Sequence, residues 1–248
     1  MDDRYAIQVR NLSYTYDDGD KILHGLNFSL LRGSLTAIIG LSGCGKSTLC
    51  QCLCGIIPQV LGGELYGEIL IDGEDISGIP LAILAKKIGL VMQNPDLQLV
   101  TTTVEDELAF APENLCLPPE EIKKRVERVL QWLRFEPLRL TSPHELSGGQ
   151  KRLLAIGSVL TLDTQILVLD EPMSHLDQQG KLLVEEAIRN LVREGRTVVM
   201  VEHNLHMAFF ADYWLVMAEG RLVRCGRPAD IFYDKAFLSR LNLLREQE

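Results

Sequence analysis

The apolar positions of this chain fall into two kinds of pattern, short unbroken runs and longer stretches with a helical period. Residues 35–39, 88–92, 166–169 and 197–201 are almost wholly apolar over four or five positions. Runs of that length suit strands buried on both faces, and several are followed by helical spacing, which predicts a largely parallel sheet covered by helices. Segments 7–9, 27–30 and 68–71 are separated by Gly/Asp turns and read instead as antiparallel strands. From about residue 95 to 146 no good strand is present. There Thr102-Thr103-Val104-Glu105 forms a capping-box pattern that opens a helix, and 119–133 follows with helical apolar spacing. Further helices are expected at 153–160, 181–192 and 236–244. The fold class is therefore α/β, with a mainly parallel sheet, an antiparallel β subdomain and an inserted α-helical subdomain at about 95–150, all within one domain over 1–248.

Composition narrows the partners. The 248 residues carry a formal net charge of −9. Broad nucleic-acid binding needs a basic footprint, so no nucleic-acid partner is expected. A single nucleotide needs only a local cluster of donors. Met1-Asp2-Asp3-Arg4-Tyr5 lacks a basic region followed by an apolar core, and no apolar run reaches the ~18 residues of a spanning helix. No signal peptide is expected, and any membrane role must come through a partner. Six cysteines occur, four of them (Cys44, Cys50, Cys52 and Cys54) within eleven residues. Without a CxxC pair or nearby histidine, small buried residues on a helix explain them better than a metal or redox cluster; Cys50 and Cys54 share a helical face and Cys52 does not.

The chemistry begins at Gly40-Leu41-Ser42-Gly43-Cys44-Gly45-Lys46-Ser47-Thr48. This is a G-x-x-x-x-G-K-[ST] phosphate loop, preceded by an apolar strand and opening a helix, as the motif requires. Its glycines let consecutive backbone N–H groups curl around an anion, and the helix dipole adds to that field. Lys46 can reach the β/γ-phosphates and Ser47 can ligate Mg²⁺. Cys44 within the loop is expected to make ATP binding sensitive to thiol alkylation. The competing reading is a chance glycine-rich turn; the four fixed positions recur by accident in roughly one chain per hundred of this length.

Residues 166–169 run into Asp170-Glu171. Alternation along a strand sends these carboxylates opposite ways, Asp170 toward Mg²⁺ and Glu171 toward an attacking water. Taken alone the pair could be a solvated turn. Leu146-Ser147-Gly148-Gly149-Gln150 then precedes a helix, with Ser147 as N-cap and Gln150 at the position of a capping box. Capping does not explain two glycines where a helix prefers alanine. Glycines there leave the first N–H groups open to an approaching anion.

With these motifs in this order, the chain resembles the ABC ATPase family, whose signature is that pentapeptide; the resemblance runs from about Tyr5 to Tyr233. It implies a P-loop NTPase core, ATP and Mg²⁺ as ligands, and head-to-tail pairing with a second ABC ATPase chain, identical or related. ATP would then lie between the phosphate loop of one chain and Ser147, Gly148, Gly149 and Gln150 of the other. The resemblance further implies that Gln93 senses Mg²⁺, that His203 contacts the γ-phosphate and that Asp177, within Ser174-His175-Leu176-Asp177, crosses the dimer interface. Tyr16 would stack on adenine, with Tyr14 as runner-up. Taken alone, Gln93 and His203 would be ordinary surface residues.

Gln93-Asn94-Pro95-Asp96-Leu97-Gln98, Val104-Glu105-Asp106-Glu107-Leu108-Ala109-Phe110 and Glu202-His203-Asn204 are similar to the ATPase subunits of energy-coupling-factor importers. These power uptake of vitamins, cobalt or nickel through a transmembrane scaffold subunit and a substrate-binding membrane subunit. This similarity implies a peripheral position on the cytoplasmic face of the membrane. It also suggests that 93–115, acidic and punctuated by Leu97, Leu99, Val100 and Phe110, docks a scaffold helix. The alternatives are a conventional ABC importer or exporter ATPase, and a soluble ABC protein outside transport. The latter usually brings paired domains, long insertions or basic arms, none of which is seen.

Overall fold

The computed structural model describes residues 4–244. The outermost ends of the expected 1–248 domain, including most of Met1-Asp2-Asp3-Arg4-Tyr5, lie outside the described residues.

Strands β1 (Tyr5–Thr15), β2 (Lys21–Leu31), β4 (Glu64–Ile71) and β5 (Glu74–Asp75) form an antiparallel sheet in the order β2-β1-β4-β5. A second sheet runs β10-β9-β3-β8-β7-β6, from β3 (Leu35–Ile39), β6 (Ile88–Val91), β7 (Ile166–Asp170), β8 (Thr197–Glu202), β9 (Tyr213–Ala218) and β10 (Arg221–Gly226). Within it β9, β3, β8, β7 and β6 are mutually parallel, and β10 returns antiparallel to β9.

The unbroken apolar runs have a direct cause. In β3, Leu35, Ala37 and Ile39 join the apolar cluster on one face of the parallel sheet, and Ile38 joins the cluster on the other. In β7, Leu167 and Leu169 divide in the same way from Ile166 and Val168. Each face needs its own apolar set, so the alternation seen in half-buried strands disappears. The antiparallel strands β1, β2 and β4 have 11, 11 and 8 residues, two to nearly four times the expected lengths. Repeated register shifts in the β1–β2 pairing break the period of two that would have revealed their length.

Helices α1 (Lys46–Leu53), α2 (Ile56–Gln59) and α3 (Leu81–Leu84) lie between β3 and β6. Between β6 and β7 the chain forms no strand, as expected: α4 (Val104–Asn114), α5 (Pro119–Leu133) and α6 (Gly148–Leu160) fill it. Next come α7 (Gln178–Arg193), α8 (Leu205–Ala208), α9 (Pro228–Phe232) and α10 (Lys235–Arg240). The helix expected over 236–244 stops at Arg240; Asn242 has φ +57, a left-handed value that ends helical winding.

Two local expectations need correction. The cap of α4 is Thr103, whose hydroxyl accepts from Asp106 N–H, one position later than the Thr102-to-Glu105 box. Glu107 is not one of the exposed acids: it is 2% exposed and accepts from the Val100 and Thr101 backbone N–H groups and the Thr101 hydroxyl. Buried donors need such an acceptor, so this carboxylate folds the turn before α4. Cys50, Cys52 and Cys54 are all buried, as the core reading expected; Cys52, on a different face, is covered too because α1 is enclosed on nearly every side. Burial pushes all three thiols up, Cys52 to about 12, which suits inert core packing. Among the described residues no cluster of histidine, cysteine or carboxylate side chains is arranged to hold a metal ion.

Candidate functional site

Four loops follow the carboxyl ends of neighbouring parallel strands, where open α/β sheets bind ligands. Register keeps those ends level, Ile39 beside Glu202 and Val201 beside Asp170. The loop after β3 is the phosphate loop, and β7 ends in Asp170, followed by Glu171. His203 follows β8 and Gln93 follows β6.

The phosphate loop curls through Gly43 at φ +78 and Gly45 at φ +99, values that glycine adopts without strain. Gly40 is required for a different reason. A Cβ there would lie 2.4 Å from the Met217 carbonyl oxygen and 2.7 Å from Cys44 Sγ. Lys46 is buried at the start of α1 and its Nζ donates to the Gly40 and Leu41 carbonyls at 2.8 and 2.9 Å. The ammonium thus lies across the mouth of the loop, where anionic oxygens would replace those carbonyls. Cys44 is nearly covered and packs toward Gly40.

Beside it lie Ser47 and Asp170, whose Oδ1 is buried with no hydrogen-bond partner. Burial raises the Asp170 carboxyl above its ordinary range; the Ser47 hydroxyl opposes this, Glu171 adds to it, and Lys46 and Arg152 oppose it. An orphaned carboxylate oxygen next to a hydroxyl is a donor set of the oxygen type that Mg²⁺ takes, so the residues fit that ion.

Glu171 lies just past the end of β7, so strand alternation does not set its direction. It receives a hydrogen bond from Gln93 Nε2 at 2.7 Å, and His203 Nδ1 lies 3.3 Å from its other oxygen without hydrogen-bond alignment. Its backbone is held at φ +46, and its carbonyl accepts from both the amide and the hydroxyl of Ser174. Positive φ in a residue with a β-carbon costs of order 1–3 kcal/mol and persists where the surroundings impose it.

A cavity of about 330 Å³ lies among these groups, lined by Tyr16, Lys46, Ser47, Thr48, Gln93 and Glu171 with the glycines of the loop. Tyr16 sits at its edge, 3.3 Å from the Thr48 hydroxyl, and meets Tyr14 edge-on. Tyr14 is fully buried and donates to the Gly62 carbonyl, so it faces the core and not the cavity.

The remaining expected site residues do not line this cavity. Ser147 and Gln150 complete a capping box at the start of α6, and Asp177 caps α7 by accepting from Gly180 N–H at 2.7 Å. The two signature glycines have separate causes. Gly148 is exposed, whereas Gly149 is buried and a Cβ on it would come within 2.9 Å of Gly180 Cα. Close approach of α6 and α7 therefore demands Gly149, a reason no local pattern could show. His175, with no account in the sequence, stands at φ +58, where histidine is tolerated better than most side chains.

Sequence reasoning missed Arg152. It is 2% exposed and donates to the Met92 and Gln93 carbonyls, both at 2.6 Å. Its only signal was a basic residue two positions after the signature. Glu202 was read as part of a motif and is a buried carboxyl, raised to about 8 by burial first and by Glu171 second.

A parallel sheet with a phosphate loop at its carboxyl edge and a carboxylate pair beside it defines a nucleotide-binding α/β protein of the P-loop type. The family is shown by comparison: residues 23–174 match the ABC transporter family model, and the chain belongs to the ABC transporter ATPase family. It is 40% identical over 230 residues to the energy-coupling factor transporter ATP-binding protein EcfA of Methanosarcina acetivorans, covering 92% of this chain and 82% of that one. A putative ABC transporter ATP-binding protein of Methanosarcina mazei is 42% identical over 228 residues, covering 91% of this chain and 39% of that one. The chain spans about two fifths of the length of several curated relatives it matches. Among solved structures, CbiO1 from Clostridium perfringens, part of the CbiONQ ABC transporter complex, superposes with a TM-score of 0.84 at 36% identity, covering 97% of this chain and 95% of that one.

Proposed function

We propose that the chain is the ATP-binding and ATP-hydrolysing subunit of an energy-coupling-factor type importer, a single nucleotide-binding domain with its helical insertion at about 95–150. The observation that carries the hydrolytic part is the convergence of Gln93 and His203 on Glu171, beside the phosphate loop. Glu171 orients and polarises the attacking water. Lys46 and His203 offset charge on the γ-phosphate, and backbone N–H groups of residues 40–48 hold the phosphate chain. Ser47, Asp170 and Gln93 would hold Mg²⁺, which would supply positive charge to the phosphates. Tyr16 stacks on the base.

Ser147, Gly148, Gly149, Gln150 and Asp177 complete the site on a partner subunit. Their place outside this chain's own cavity supports head-to-tail pairing. The importer reading draws support from the EcfA and CbiO1 relatives. No helix among the described residues is long and apolar enough to cross a membrane, which suits a peripheral subunit on separate membrane proteins at the cytoplasmic face.

The segment offered to the scaffold subunit exposes Leu97 at 68% and Val100 at 62%, with Phe110 partly exposed. On the neighbouring helices Glu105, Asp106, Ala109 and Glu113 of α4, with Ile122 and the basic Lys123 of α5, line a groove of about 510 Å³. An apolar floor with acidic edges suits a basic amphipathic helix.

The test is co-expression of Glu171→Gln with membrane proteins encoded nearby. The variant should trap ATP in a dimer and co-purify with a small scaffold and a substrate-binding membrane protein. Glu105→Lys with Glu113→Lys should release the scaffold and keep the dimer. A trapped dimer that recovers no membrane partner sinks the importer reading and leaves the ATPase standing.

A further inference from the structure

The start of α6 grips the loop that carries Gln93 at two places. Arg152 donates one N–H from each terminal nitrogen to consecutive carbonyls, Met92 and Gln93. One position earlier, Lys151 Nζ pairs with Asp96 Oδ1 at 2.7 Å and holds that carboxyl below its ordinary range. A planar guanidinium with fixed donors sets the orientation of two peptide groups at once, which an ammonium on a flexible stem does not.

Burying a guanidinium is expensive, and filling such a position with an apolar side chain commonly stabilises a fold. Here the desolvation is incompletely relieved. Arg152 Nε is buried without a partner, and so is Oε1 of Glu202, the carboxyl whose field bears most strongly on the guanidinium. A costly group retained against fold stability points to a task. The task is visible in what the loop carries: Gln93 Nε2 reaches Glu171 Oε2 at 2.7 Å. A continuous path therefore runs from the capping box at Ser147 through Arg152 and the Gln93 backbone to the Glu171 carboxylate.

We propose that Arg152 is a positioning residue for hydrolysis, tying the Gln93 loop to the first turn of the signature helix so that docking of a partner subunit on residues 147–150 is registered at Glu171. Arg152 touches no reacting atom and acts through Gln93, so the inference rests on the roles proposed above for Gln93 and Glu171. Misplacement of a catalytic group by about 1 Å can cost about 100-fold in rate, which is the scale on which such a tie matters.

The experiment measures steady-state ATP hydrolysis and MgATP affinity of the full chain for Arg152→Gln, Arg152→Lys, Gln93→Ala and the double variant Arg152→Gln/Gln93→Ala. Arg152→Gln should lower kcat by about 10- to 100-fold with KM and ATP affinity nearly unchanged, and Arg152→Lys should recover part of the loss. The double variant should be no slower than Gln93→Ala, because both act on one step. Losses that multiply in the double variant, with Gln93→Ala itself slow, overturn the Arg152 inference and leave the site reading intact. Full turnover by Gln93→Ala overturns that site reading and this inference with it. Should Arg152→Gln fail to fold, Asp96→Asn decides: it opens the exposed half of the grip. A fall in kcat that disappears in the Gln93→Ala background supports the tie, and unchanged kcat overturns it.

Discussion

Two regions of the molecule are built for the same ligand in opposite ways. The phosphate-loop side is furnished from within the chain: Lys46, Ser47, Asp170, Glu171, Gln93 and His203 come together at the ends of adjacent parallel strands, and Gln93 already donates to Glu171. The signature side offers the start of one helix, capped by its own Ser147 and Gln150, and the capped start of another at Asp177. The charged groups on that side are already engaged, Lys151 by Asp96 and Asp177 by the Gly180 N–H. Parallel strands deliver several side chains to one point at once, whereas a helix terminus delivers backbone N–H groups and little else. Under the proposed head-to-tail pairing, the first region binds alone and the second acts only against a partner.

The sharpest way to break this contrast is to disable each region separately and mix the products. Lys46→Ala should abolish ATP binding. Ser147→Arg should leave binding near wild type and lower hydrolysis by about 100-fold or more, the scale of losing a transition-state donor. Mixed in equal amounts, the two variants form heterodimers with one intact composite site and one site damaged on both sides. ATPase assays should then show activity that neither variant has alone. Absence of complementation in a demonstrably formed heterodimer would show that each chain hydrolyses ATP by itself.

The same contrast governs what could be read from the sequence. The first region was legible because its strands are apolar on both faces and its ligands sit at fixed offsets from strand ends. Phosphate loop, Asp170 and Glu171 followed from local pattern alone. Gln93 and His203 needed the family resemblance, since a lone glutamine or histidine after a strand carries no signal. What escaped was set by approach between distant segments. Gly149 meets Gly180, Glu107 folds back on Val100 and Thr101, and Arg152 reaches Met92 and Gln93. The pair β9 and β10 was not anticipated either: β9 is an apolar strand like the others, but no motif drew attention to it. The bulged β1 and β2 hid their length for the reason already given.

Glu202 sharpens the comparison from the side of stability. Its carboxyl has an ordinary value of 4.5 and is raised to about 8 in the folded chain, chiefly by burial. Between those values the folded state keeps a proton that the unfolded state has lost. Folding stability must therefore fall as pH rises from about 4.5 to about 8 and level off above, by up to about 1.4 kcal/mol per pH unit for this group. Glu202→Gln removes the titration. Denaturant unfolding at pH 5 and pH 8 should show the variant gaining on wild type at the higher pH, by a few kcal/mol at most. Equal offsets at both pH values would show that Glu202 is ionised when folded.

The smallest expected effect falls on the signature side and concerns its two glycines. Gly148 is exposed and Gly149 is buried against Gly180, so alanine at each asks a different question. At Gly149 the new methyl meets backbone at 2.9 Å, which cannot swing aside, so α6 and α7 must separate slightly. Overpacking of this kind costs about 1–3 kcal/mol. Gly149→Ala should lower the denaturation midpoint accordingly, with ATP binding by the isolated chain retained, because the phosphate loop lies on the other side of the sheet edge. Gly148→Ala meets only the tip of Leu176 at 3.2 Å, and alanine is favoured over glycine in a helix by up to about 1 kcal/mol. That variant should be neutral or slightly more stable, yet lose hydrolysis if its N–H must be approached closely by a nucleotide on the partner subunit. Gly148→Ala thus keeps stability and loses hydrolysis, whereas Gly149→Ala loses stability and keeps ATP binding. A pair of variants that behave alike would mean that one cause, packing or access, governs both glycines.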